Sequence, residues 1–262
     1  MAADESAAAR LARYYDLDLE GGPPDIERYL ALAEAENGPV LELMAGTGRL
    51  AIPLAKAGHA VTAVDLDPAM LARAKARWAR SRDDATARGS LSFELADVLE
   101  IDLGARFALV LIALNSLFLL GTRARQAAGL RVAARHLRPG GLLVVDVWLP
   151  DQADLELYDG RLNLEWERTD PETGLRVAKV DAARHDSATG HVEMFTWFDT
   201  WPIDGGPVSR VSRTDHVRLV TAGDLAAMAE EAGLTVEAIE GDHDGGPFGP
   251  GAERALLLAR LV

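Results

Sequence analysis

From Pro39 to Trp148 short aliphatic or β-branched runs alternate with longer stretches rich in alanine and arginine. That alternation marks βαβ units and predicts a parallel sheet with helices packed against it. Strands are expected at about Val40–Met44, Ala60–Asp65, Leu91–Leu95, Phe107–Leu114 and Gly141–Trp148, and helices near Arg49–Ala57, Pro68–Arg82 and Arg123–Leu137. Asp67 before Pro68 reads as an N-cap with proline at the first helical position, and Pro139-Gly140-Gly141 as the stop of the third helix. Ahead of this core, Ala7–Tyr15 and Asp25–Ala35 read as two helices separated by Gly21-Gly22-Pro23-Pro24, a candidate helical lid over residues 1–38.

The helical period disappears between Leu155 and Val220, where Val192–Thr200 and Val208–Val220 look extended and partly alternating, separated by Asp-Gly and Gly-Gly turns. Residues 151–220 are therefore expected to form an antiparallel β-layer inserted after the 39–150 core. Residues 221–262 return to that core with a helix opening at Thr221–Asp224 and strands at Thr235–Glu240 and Ala255–Leu261, a pair expected to run antiparallel.

Composition narrows the function classes. The 262 residues carry 27 basic and 41 acidic side chains, a net charge of -14, the wrong sign for a protein that binds by neutralising phosphates. Nucleic acid is not an expected partner. There is no cysteine, which removes disulfides, thiolate metal sites and cysteine nucleophiles and fits a reducing cytoplasm. The N-terminus shows no secretory pattern, and the apolar run Phe107–Leu120 is interrupted by Asn115 and Ser116, so no membrane span is expected.

The most informative segment is VLELMAGTGRLAIPLAKAGHAVTAVDLDPAML, in which a buried strand runs into Gly46-Thr47-Gly48 and a helix follows at once. Glycine allows the backbone a tight turn and a close approach to a ligand, and the amides of the helix N-terminus offer hydrogen bonds. Asp65 closes the next strand, where a carboxylate can accept both hydroxyls of an adenosine ribose. Gly46 to Ala51 also satisfies the G-x-G-x-x-A dinucleotide fingerprint, so a NAD(P)-dependent oxidoreductase is the competing reading. A pyrophosphate gains nothing from Glu42, whereas a ligand carrying an ammonium and a sulfonium suits Glu42, Asp65 and Asp97, and no Tyr-x-x-x-Lys pair is present.

With LELMAGTGR, VDLDPAML, ADV at 96–98, ALNSLFLL, LRPGGLLVVDV and the C-terminal TAGDLAAMAEEAGLTVEAIEGDHDG, the chain resembles the class I S-adenosylmethionine-dependent methyltransferases, in particular small-molecule members with a β-layer after the fifth strand. The resemblance implies an α/β, Rossmann-like, doubly wound seven-stranded sheet whose last strand is antiparallel. It implies S-adenosyl-L-methionine as cofactor and S-adenosyl-L-homocysteine as product. By the same resemblance Gly46 and Gly48 line the methionine portion, Glu42 reaches its ammonium, and Asp65 holds the ribose. Leu66 and Met70 pack on the adenine, Asp97 and the Val98 amide bond its edge, Leu114 and Asn115 stand near the methyl group, and Tyr15 closes over the cofactor. Arg49 either binds a carboxylate or caps a loop salt bridge. A non-catalytic cofactor-binding partner protein is a further alternative.

Displacement at a sulfonium needs alignment in a dry pocket more than an obligatory acid or base. The acceptor is expected to be a nitrogen or oxygen of a small metabolite, and the protein a monomer or homodimer. His216 and His243 lie in segments expected near the pocket mouth, with His216 the weak catalytic candidate and an ordinary structural or solvated histidine the favoured reading for both. Asp242-His243-Asp244 lacks a second ligand cluster, and no metal is expected. Phe118, Trp148 and Trp197 are candidates for a substrate wall, against core packing of rings such as Phe195 and Trp197. The basic side chains Arg73, Lys75, Arg77, Arg80 and Arg82 read as a solvated helix face.

Overall fold

A computed structural model describes residues 5–22, 24–81 and 88–262. Pro23 of the inter-helix segment and Arg82 of the expected basic face lie outside the described residues. In chain order the elements are α1 (Ala7–Asp18), α2 (Ile26–Glu36), β1 (Val40–Leu43), α3 (Ala51–Ala57), β2 (Ala60–Asp65), α4 (Pro68–Ser81), β3 (Ser90–Leu95), β4 (Phe107–Ile112) and a 3-10 turn at Ser116–Leu120. They continue with α5 (Arg123–His136), β5 (Leu137–Trp148), α6 (Gln152–Glu156), β6 (Asn163–Thr169), β7 (Arg176–Asp186), β8 (His191–Trp201), β9 (Ser209–Arg218), α7 (Ala222–Glu231), β10 (Leu234–Glu240) and β11 (Arg254–Leu261). Two compact units result: the residues up to Gly22 with Pro150–Leu219, and residues 24–149 with Val220–Val262. α1 thus belongs to the smaller unit and α2 to the larger.

The larger unit is built on a seven-stranded sheet of order β10-β11-β5-β4-β1-β2-β3. β5, β4, β1, β2 and β3 pair in parallel, while β11 runs antiparallel to both β5 and β10. The unbroken apolar runs of β4 and most of β1 suit strands covered on both faces, and every residue of the two is buried. The strand order reverses on either side of β1, the switch point at which such sheets open a crevice at their carboxyl edge.

Four boundaries depart from expectation for backbone reasons. β1 and β4 stop before Met44 and Leu114 because both residues have positive φ (58° and 48°), which cannot continue a strand. α3 starts at Ala51, not Arg49, because the chain first completes the turn around Gly48, whose φ is 76°. α5 ends at His136, so Pro139-Gly140-Gly141 lies within β5, where the register against β4 shifts between Phe107 and Leu109. The expected caps are present: Asp67 Oδ1 accepts from the Ala69 amide at 2.7 Å and Thr221 Oγ1 from the Asp224 amide at 3.0 Å.

The smaller unit carries an antiparallel sheet of order β6-β7-β8-β9. Sequence periodicity exposes only β8 and β9, since β6 and β7 are rich in charged residues and alternate weakly. On β8 the covered face holds Val192, Thr196, Phe198 and Thr200. There Phe198 and its sheet neighbours Val177 and Val211 pack with Tyr14 and Leu17 of α1. Phe195 and Trp197 occupy the opposite face, edge to face at 5.5 Å, with the Arg210 guanidinium 4.4 Å from the Trp197 ring.

Candidate active site

The turn between β1 and α3 is tied to the neighbouring strand. The Gly46 amide donates to Asp65 Oδ2 at 2.7 Å and the Asp67 amide to Asp65 Oδ1 at 2.8 Å, so one carboxylate joins the β1 and β2 exits. Gly48 has two reasons to be glycine. Its φ is positive, and a Cβ there would stand 3.2 Å from Ile52 Cδ1 and 3.3 Å from Ala74 Cβ, the close approach of α3 and α4. Arg77 is no part of a simply solvated face, since its Nη1 donates to the Thr47 carbonyl at 3.2 Å and to Thr47 Oγ1 at 3.1 Å. Leu66 is exposed and Met70 half-buried after the end of β2. At the exit of β3, paired with β2, Val98 is buried and Asp97 Oδ1 accepts from the Leu99 amide at 2.8 Å.

Behind the turn the site is short of positive charge. Glu42 is buried, its Oε2 has no hydrogen-bond partner, and burial pushes its carboxyl up to about 8 against the attraction of Arg49. Asp65 is also raised by burial, more than the Asp67 and Gly46 amides lower it. Arg49 forms the salt bridge rather than a free anion site: its Nη1 and Nη2 donate to the two oxygens of the fully buried Asp25 at 2.6 and 2.7 Å.

A second cluster stands at the ends of β4 and β5. Leu114 and Asn115 are both left-handed (φ 48° and 66°), a costly conformation for non-glycine residues that marks an over-determined site. Asn115 stitches the strands, its amide donating to the Asp146 carbonyl at 3.0 Å and its Oδ1 accepting from the Trp148 amide at 2.6 Å. The fully buried Asp146 is the hub. Its Oδ1 accepts from Arg254 Nη2 at 2.6 Å and Nε at 2.9 Å, and its Oδ2 faces Tyr29 Oη at 3.2 Å, the Leu114 amide at 3.3 Å and His243 Nε2 at 3.2 Å. Burial works to raise the Asp146 carboxyl, yet the His243 hydrogen bond and Arg254 together hold it below the usual carboxylate range. Tyr29 is pushed well up by burial and by the charges of Asp146 and Asp25.

Sequence reasoning does not single out Asp25, Tyr29, Asp146 and Arg254; of the structural and solvated readings of His243, the structural one fits, since its side chain is only 8% exposed. One signal was available: a lone carboxylate inside the apolar run Leu142–Val147 has to be paired. Asp25, Asp146 and His243 offer ligand atoms within 4.8 Å of one another, but Arg49 and Arg254 already supply the counter-charge of both carboxylates. Phe118 is core, buried within the 3-10 turn, and Trp148 is half-buried at the end of β5. Tyr15, Trp197 and His216 belong to the smaller unit. Tyr15 is half-buried on α1, and His216 is exposed on β9 opposite Glu193, lining a cavity with Arg184, His185, Asp186 and His191.

Residues 40–141 match the family described as methyltransferase domain. The chain is 28% identical over 227 residues to dTDP-3-amino-3,4,6-trideoxy-alpha-D-glucopyranose N,N-dimethyltransferase of Streptomyces venezuelae, covering 87% of this chain and 86% of that one. It is 26% identical over 220 residues to the cypemycin N-terminal methyltransferase of a Streptomyces species, covering 84% and 81%. Among solved structures, the CcbJ methyltransferase from Streptomyces caelestis superposes with a TM-score of 0.73 at 26% identity over 92% of each chain. Sheet, glycine turn and acidic partners thus define a class I methyltransferase fold. The protein is an S-adenosylmethionine-dependent methyltransferase, and the nicotinamide reading of the glycine turn is set aside. Among the described residues no helix is long and apolar enough to cross a membrane.

Proposed function

We propose that this methyltransferase acts on the nitrogen of a small amine-bearing metabolite, with an amino sugar as the leading substrate class. The cofactor half of the reading rests on one observation, the buried Glu42 Oε2 that lacks any hydrogen-bond partner behind the glycine turn. An ammonium group supplies the missing donor and charge. The nitrogen acceptor is supported by the two relatives named above, whose names place their methyl groups on an amino sugar and on the N-terminus of cypemycin.

In this reading Glu42 meets the ammonium and the Gly46 and Gly48 backbone lines the methionine portion. Asp65 takes the ribose hydroxyls on the lone pairs its two amide donors leave free. Leu66 and Met70 cover the adenine, and Asp97 with the Val98 amide reads its edge. Leu114 and Asn115, fixed to β5 through Asp146 and Trp148, stand beside the transferring methyl. The cofactor supplies a methyl carbon on a sulfonium leaving group. The protein supplies alignment, an effect worth about 7–11 kcal/mol.

The test is a thermal-shift and calorimetric series with S-adenosylmethionine, S-adenosylhomocysteine, NAD and NADP. An assay saturated with S-adenosylmethionine is then run on dTDP-3-amino-3,4,6-trideoxyglucose, simple amines and phenols. Ligand at 100 times its dissociation constant stabilises by about 2.7 kcal/mol, and only the two sulfur ligands are expected to do so. Methylation of phenols with none of the amines would overturn the nitrogen acceptor.

A further inference from the structure

We infer that His243, held by the buried Asp146 carboxylate, is the base that takes the proton from the substrate nitrogen before it attacks; this rests on the amine reading above. The loop between β10 and β11 carries His243. Because β11 runs antiparallel to both β5 and β10, β10 runs with β5, and the loop stands at the carboxyl edge of the sheet, where β4 and β5 end. His243 Nε2 lies 3.2 Å from Asp146 Oδ2. A carboxylate only accepts, so Nε2 carries the proton and Nδ1 is the basic nitrogen. Nδ1 has no hydrogen-bond partner among the described residues. The same Asp146 oxygen also receives the Leu114 amide, so the histidine is anchored through one atom to the loop proposed to flank the methyl group.

The charged and phenolic groups packed around His243 are for the most part already paired. His243 lines a cavity of about 450 Å³ together with Pro24, Asp242, Asp244, Glu253 and Arg254. Asp146 from β5 is neutralised by Arg254 from β11, and Asp25, ahead of α2, by Arg49. Glu240 at the end of β10 is paired with Arg28 of α2. Tyr29 of α2 donates to Asp146, its ring 6.4 Å from the imidazole. Asp242 Oδ1 is held by the Asp244 and Gly246 amides, and Asp244 is exposed on the loop.

The substrate ammonium gives one proton to Nδ1 and keeps a lone pair on nitrogen. That pair forms the N–C bond as the C–S bond breaks, with the electrons of the broken bond remaining on the sulfur of S-adenosylhomocysteine. The imidazolium, balanced by Asp146, then returns its proton to water.

Two measurements test this. Imidazole ¹⁵N NMR with S-adenosylhomocysteine bound, assigned through His243→Gln, is expected to show the Nε2–H tautomer in the wild type and a mixed population in Asp146→Asn. The pH profile of kcat/KM is then compared for wild type and His243→Gln on an amine that the wild type turns over. A general base is worth about 10²–10⁴-fold. The loss in His243→Gln is expected to be at least about 10²-fold near neutrality and to shrink as pH passes the substrate's own ionisation, with product affinity unchanged. An Nδ1–H tautomer, equal rates in the two proteins, or a loss independent of pH would overturn the proton route. Absence of amine methylation by the wild type overturns the amine reading itself, and the proton route with it.

Discussion

Glu42→Gln isolates the charge deficit behind the glycine turn. Glu42 has an ordinary value of 4.5 and stands at about 8 in the fold, so ionising it there costs roughly 5 kcal/mol at ~1.4 kcal/mol per pH unit. Below about 4.5 the group is protonated in both folded and unfolded chains. As pH rises from 4.5 the unfolded chain ionises while the folded chain keeps its proton until about 8, so folding loses stability across that window and no more above it. At pH 7 the loss amounts to roughly 3 kcal/mol, an upper figure because the cavity relaxes. Glutamine has nothing to titrate, so the ligand-free variant is expected to gain up to that amount at pH 7 and to flatten the curve between 4.5 and 8. Cofactor binding has the opposite sign. An ammonium needs the carboxylate, so near pH 7 binding to the wild type is expected to expel close to one proton, fewer as pH rises past about 8, and none in Glu42→Gln, whose affinity falls. Denaturant titration across pH reads the first effect, and calorimetry in two buffers of different ionisation enthalpy counts the protons. Identical stability curves and identical proton counts for the two proteins would refute the reasoning.

Gly48→Ala is expected to cost about 1–2 kcal/mol, because alanine at positive φ is strained and its Cβ meets Ile52 and Ala74; a change under about 0.5 kcal/mol in urea unfolding would show that α3 and α4 yield freely. Asp25→Ala leaves Arg49 without its partner and should lower stability by about 3 kcal/mol or more, read as a fall in melting temperature that Asp25→Ala/Arg49→Met partly restores. Asp65→Ala removes both the expected ribose acceptor and two tethers of the turn, so S-adenosylhomocysteine affinity should drop by at least about 10-fold with the fold retained by circular dichroism; unaltered affinity would displace the ribose from this strand end.

The fold was legible where local chemistry and tertiary setting agree. β4 is an unbroken apolar run, and β1 and the Leu142–Val147 part of β5 are apolar but for one carboxylate each, because these strands are covered on both faces, and Asp67-Pro68 and Thr221 announce their helices by capping chemistry that acts within three residues. β6 and β7 stayed hidden because charged side chains on an exposed sheet face erase the period of two, and their pairing is set by β8. The glycine turn and its neighbouring carboxylates were equally legible as a structural unit. Glu42, Gly46, Gly48 and Asp65 all lie within 24 consecutive residues, so one strand-turn-helix-strand signal reports them together. The Asp146 cluster was not. Asp25, Tyr29, Asp146, His243 and Arg254 come from four distant segments, and no spacing rule joins them. What the sequence does contain is a constraint: an aspartate in the middle of Leu142–Val147 cannot stay charged and buried without partners. Arg254 supplies the charge, and His243, Tyr29 and the Leu114 amide the remaining hydrogen bonds. A partner set held that tightly to one buried carboxylate at the mouth of the sheet does more than satisfy it, because the same hydrogen bonds fix which imidazole nitrogen remains basic.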